Sequence, residues 1–107
     1  MTDKSQIWIG LAEVVPLKAC SHLEDAKGAF VNVVGWARSE ENFRTLVAQV
    51  ANEMALELLE MDDCEPFSER CSRIDVSDEI LQMVTTAREQ PNDVVFGTFH
   101  RWLKHDA

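Results

Sequence analysis

The chain has 107 residues, 46% of them hydrophobic and 27% charged, which suits one globular domain over residues 1–107 and excludes a disordered chain or a second core. Ten Lys and Arg against nineteen Asp and Glu leave a net charge of −9, a field that repels nucleic acid and anionic membrane and steers basic proteins inward. No apolar run approaches the roughly 20 residues a membrane-spanning helix needs.

The first residues, MTDKSQIW, hold one Lys and no signal-peptide core, and 1–5 reads as a loose end. Three cysteines, Cys20, Cys64 and Cys71, make no CxxC pair and fit a reducing compartment, so the expected location is the cytoplasm.

Gln6 to Val15 alternates as a strand ended by Pro16, and a polar connection over 16–28 leads to a second strand from Gly28 to near Arg38. Ser39 is a good N-cap, with Glu40 and Glu41 on the positive end of the helix that follows. Phe43, Leu46, Val47, Val50, Ala51 and Met54 recur at helical spacing and define its buried stripe. The stretch MALELLEMDDCEPF is built from helix formers, yet Leu56 and Leu59 fall off that stripe. We therefore place a turn near Ala55 and a strand from Leu56 to about Glu65.

Pro66 stops the third strand, and FSERCSRID reads as a loop. Ser77 caps a second helix with Asp78 and Glu79 in its first turn and Ile80, Leu81, Val84 and Ala87 inward. Residues 90–93 close it, Val94 to Trp102 forms the last strand, and the tail 103–107 is expected to be loose. The order β-β-α-β-α-β predicts an α+β two-layer sandwich, with a mostly antiparallel four-stranded sheet and both helices on one face.

In that arrangement the helices meet Ile7, Ile9, Leu11, Val31 and Val33. The opposite face carries Trp8, Phe30, Trp36, Phe96, His100 and Trp102, and an aromatic face of this kind should not stand open to water. The expected cover is a second copy of the chain, giving a homodimer. A loop folded over the face, or a ligand pocket lined by the aromatics, are the alternatives.

Between Arg44 and Arg70 there is no basic residue but seven acids, among them Glu57, Glu60, Asp62, Asp63 and Glu65. These five read as a docking surface for a basic protein partner. The same run also reads as a solvated face, or as charge that keeps an edge strand from pairing.

Other chemistry is weakly supported. Cys20, His22, Cys64 and Cys71 are zinc-type ligands at spacings that match no known finger or ribbon. His100 has no nucleophile or orienting carboxylate at a defined offset. The glycines stand singly at Gly10, Gly28, Gly35 and Gly97, so there is no phosphate-cradling loop, and the acids lack the calcium-loop pattern.

No catalytic residue, metal or cofactor is expected. The sequence reads as a small acidic binding or regulatory protein, such as an adaptor or an inhibitor of a cationic protein. A small-molecule binder or small enzyme on the aromatic face is the alternative, and a purely structural dimeric module a third.

Overall fold

The computed structural model describes residues 5–17, 28–91 and 93–102, the side chains of Arg101 and Trp102 excepted. Most of the 16–28 connection, the end segments 1–4 and 103–107, and with them Cys20, His22 and the side chain of Trp102, lie outside the described residues. The elements are β1 (Gln6–Pro16), β2 (Gly28–Ala37), α1 (Glu40–Glu53), β3 (Leu56–Pro66), α2 (Phe67–Arg73), α3 (Asp78–Glu89) and β4 (Val95–Trp102). They form an α+β fold whose four strands run antiparallel in the order β3-β1-β2-β4. No helix among the described residues is long and apolar enough to cross a membrane.

Local chemistry accounts for the helix starts. The Ser39 hydroxyl accepts from the Asn42 amide at 3.1 Å to cap α1, and the Ser77 hydroxyl accepts from the Ile80 amide at 3.3 Å to cap α3. Two features differ from expectation. Residues 67–73 form the helix α2 rather than a loop, because Pro66 stands at the N-cap, where a missing N–H costs nothing, and Phe67 is buried beneath the sheet. Leu81 points outward on α3, and Met83 takes the inward place.

The larger correction concerns the layers. The β1–β2 register pairs Ile7 with Trp36, Trp8 with Gly35 and Ile9 with Val34, so each pair joins an odd-numbered residue to an even-numbered one. Directly paired residues share a face. The odd side chains of β1 and of β2 therefore lie on opposite faces, and no single helical layer can meet both sets.

On one face α1 seats Phe43, Val47 and Ala51 against Ala12, Val14, Val31 and Val33. On the other, Phe67 of α2 and Ile80, Met83, Val84 and Ala87 of α3 cover Ile7, Ile9 and Val34. The fold has three layers, with helices on both faces of the sheet. The chain's own helices thus cover one face of β2 with α1 and, on the other, Val34 and Trp36 with α2 and α3, while Phe30 stays exposed.

Both sheet edges are irregular. β3 departs from regular pairing near Leu59 and again near Asp63, and β4 carries an extra residue opposite Asn32. Glu79 of α3 fastens the β4 irregularity, its Oε2 accepting from the Thr98 amide at 2.9 Å and from the Thr98 hydroxyl. Those bonds hold the Glu79 carboxyl below its ordinary range, first through the Thr98 hydroxyl and then through its amide. Bulged, charged edges of this kind resist edge-to-edge pairing.

The two-residue link between α1 and β3 stores strain. Ala55 sits at φ 62°, a left-handed conformation that Gly tolerates better, while its carbonyl accepts from the Leu17 amide at 2.9 Å. Ala55→Gly is expected to stabilise the protein by about 0.5–1 kcal/mol, relief of strain exceeding the added chain entropy of Gly. The check is a denaturant midpoint that rises at unchanged slope.

Candidate interaction surface

The helices of the α2–α3 layer cover only one end of their face. The strand registers set out the other end row by row. Glu60 pairs with Glu13, Glu13 with Phe30, and Phe30 with His100, which makes one row across all four strands. Asp62, Leu11 and Asn32 form the adjacent row, and Glu57 stands opposite Val15.

The rows differ sharply in burial. Ile9 and Val34, under α2 and α3, are fully buried, whereas Phe30 is 38% exposed and Glu57, Glu60, Asp62 and His100 are exposed. Leu11, Glu13, Val15 and Asn32 are half-buried. The result is an apolar strip along Leu11 and Phe30, bordered on the β3 side by carboxylates.

Like charges directly opposite on a sheet are destabilising, by roughly 0.2–1 kcal/mol, and Glu13 faces Glu60. Among the described residues neither of them, nor Glu57 nor Asp62, makes an ion pair. The field of Arg44 reaches Asp62, but the Arg44 guanidinium is bonded to Glu40 at 2.8 Å. Among the described residues the arrangement thus carries uncompensated negative charge beside exposed apolar surface.

Glu65 stands apart from the other acids. Its carboxylate holds Arg70 and Arg73 of α2, and Arg70 also donates to the Asp63 carbonyl at 2.9 Å. Glu65 therefore ties α2 to the end of β3 instead of presenting a free charge. The Arg70 hydrogen bond, followed by the charges of both arginines, holds its carboxyl below the ordinary range.

A depressed folded-state value means that the stabilisation is present above the unfolded carboxylate value and is lost as pH falls through the folded one. Glu65→Gln is thus expected to lower the thermal midpoint at neutral pH. The gap between variant and parent should close only as pH falls through the depressed Glu65 value, below the ordinary carboxylate range, where both side chains are uncharged. Parallel melts across pH would check this. Asp63 is exposed at φ 56°, a conformation that Asp accepts, and marks the bulge.

Of the six aromatic-face residues, the five whose side chains are described do not come together. Trp8 lies on the α1 face with its ring 6.3 Å from that of Phe43, and Phe96 shares that face beside Phe99. Phe30, Trp36 and His100 lie on the other face, and even there Trp36 is at the covered end, donating from Nε1 to the Ala87 carbonyl at 2.9 Å. The buried Nε1 of Trp8 has no acceptor among the described residues.

Trp36 does line a cleft of about 630 Å³ at that end, with Leu46, Val50, Glu53 and Asp93 among its walls. Cys64 is half-buried against Gly10, and burial pushes its thiol up, while Cys71 is exposed on α2. Among the described residues no three His, Cys, Asp or Glu side chains converge as metal ligands would.

Sequence reasoning missed Glu13 and Leu11 as members of the surface. The available signal was Glu13 itself, a lone acid inside the apolar run of β1, but only the register brings it opposite Glu60. Compared with known proteins, the chain matches no family, no curated protein and no solved structure.

Proposed function

We propose that this protein is a cytoplasmic binding or regulatory module that docks a cationic protein partner on the half of the α2–α3 face that none of the described helices covers. The observation that carries the reading is the Glu13–Glu60 juxtaposition, without an ion pair among the described residues, beside the exposed Phe30. A partner's Lys or Arg would relieve that repulsion, and the apolar strip would supply the buried centre that interfaces need. Glu57, Glu60, Asp62 and Glu13 form the contact set, Asp63 borders it, and Glu65 serves the fold.

A homodimer through this face is the weaker reading, because two copies would bring both sets of carboxylates into one interface with no Lys or Arg among the described residues of the face to pair them. The small-molecule alternative contracts to the cleft at Trp36, whose size falls within the range of ligand sites. Among the described residues of that cleft no hydroxyl or thiol is hydrogen-bonded to a base.

The test is paired affinity capture with the parent protein, with Glu13→Gln/Glu57→Gln/Glu60→Gln/Asp62→Asn, and with a control neutralising Glu41, Glu53, Glu69 and Glu89. A cationic partner kept by parent and control, lost by the site variant and released by raised salt supports the reading. Equal loss in both variants, or no loss in either, contradicts it.

A further inference from the structure

The partner's shape, as well as its charge, is constrained by the layer it would enter. This step rests on the docking proposal above. On β1 the half-buried residues Leu11, Glu13 and Val15 span about 14 Å, at about 3.4 Å per strand residue, and the Glu60–Glu13–Phe30–His100 row, exposed or half-buried on all four strands, is about 14 Å wide at about 4.8 Å per strand. A helix with its side chains is about 10–12 Å across. A strip of that size accommodates one helix, engaged over about two and a half turns, and no second.

Other occupants fit less well. An added strand would pair along β3, whose edge is interrupted by bulges at Leu59 and Asp63 and lined with like charge. A second copy would add carboxylates to the face and, among its described residues, no Lys or Arg to pair them. A helix needs neither a regular edge nor symmetry, and the layer already consists of helices on this face.

We infer that the uncovered half of the α2–α3 layer receives an amphipathic, Lys- or Arg-rich helix from the partner, its apolar stripe on Leu11 and Phe30 and its cations against Glu13, Glu60 and Asp62. The contact follows the helix-in-groove mode, in which anchors one turn apart set the register. Bound this way, the partner completes the three-layer sandwich over its whole length.

The experiment measures fluorescence anisotropy of three labelled synthetic peptides of about 14 residues, a length that spans about 21 Å as helix. One is a Leu/Lys amphipathic helix, one has the same composition scrambled to destroy the stripe, and one carries Glu in place of Lys. The inference expects the first to bind the full-length protein, the scrambled peptide to bind about tenfold more weakly or worse, and the acidic peptide not to bind. Phe30→Ser and Glu13→Gln/Glu60→Gln should each weaken the first peptide by about tenfold, with the thermal midpoint near the parent's for the first and at or above it for the second, whose like-charge repulsion is relieved.

Equal affinity for the ordered and scrambled basic peptides, with both weakened by Glu13→Gln/Glu60→Gln, would overturn the helical occupant and leave cationic docking standing. Failure of both basic peptides to bind the parent protein would overturn both. Concentration-dependent dimerisation abolished by Phe30→Ser would assign the face to a second copy and overturn the inference likewise.

Discussion

Replacing Phe43 with alanine is expected to lower the unfolding free energy by about 3–5 kcal/mol, enough to remove a large part of a small domain's stability. Phe43 is fully buried where α1 crosses the sheet, with Trp8 beside it and Gly10 and Gly35 beneath it. A Cβ at Gly10 would stand 3.5 Å from the Phe43 ring, and one at Gly35 would stand 3.6 Å from it. The two glycines form the floor on which the ring lies, and a floor without side chains has nothing to relax into the space a smaller residue leaves. The cavity therefore persists, and its cost adds to the lost transfer free energy. Chemical denaturation read by tryptophan fluorescence would give the loss. A cost below about 1 kcal/mol would mean that α1 is not seated on this face as described.

Val34→Asp is expected to cost about 3–5 kcal/mol, because it places a carboxylate between β2 and α3 with no cation to pair it. The variant separates the three-layer fold from a two-layer one. With this end of the face open, an aspartate at Val34 would stay hydrated and the change would be mild. Under α3 the buried group's folded-state value is raised, so the loss should be smallest in acid, where the carboxyl is neutral, and should grow as pH rises through that value. Melts of variant and parent at several pH values would show both magnitude and trend. A loss of about 0.5 kcal/mol, independent of pH, would contradict the covered face.

Most elements were legible in the sequence because their causes are local. Ser39 and Ser77 announce helix starts through a hydroxyl three residues from the amide it caps, and the turn at Ala55 follows from a break in helical spacing. The strand over 56–66 was legible from two misplaced leucines despite helix-forming composition, and Leu56 is indeed fully buried in it. α2 was not, because Pro66 reads equally as a stop and as an N-cap, and tertiary burial of Phe67 decided between them.

The faces were illegible for a deeper reason. A one-residue change of register moves every side chain of a strand to the other face, and register is a relation between two strands that neither sequence states alone. Pairing Ile7 with Trp36 instead of with an odd-numbered neighbour was enough to split the aromatic set and send α1 and α3 to opposite sides. The bulge opposite Asn32 adds a second switch, leaving Phe96 and His100, both even-numbered, on different faces.

The same geometry reshaped the acidic run. As sequence, Glu57, Glu60, Asp62, Asp63 and Glu65 are equivalent members of one stretch, whereas in the fold Glu65 is consumed by Arg70 and Arg73. Glu13 enters from more than forty residues away. Charge counted along the chain identified the neighbourhood, and charge placed by cross-strand pairing identifies which carboxylates remain uncompensated.

The most direct measurement is a two-dimensional amide NMR titration of the isotope-labelled protein with a Lys-rich amphipathic peptide. The account predicts perturbations concentrated at Leu11–Val15, Phe30–Asn32, Glu57–Asp62 and His100, which fade as salt is added. Perturbations centred instead on Trp36, Glu53 and Asp93, or no saturable change at any position, would contradict the assignment of the uncovered sheet face as the working surface.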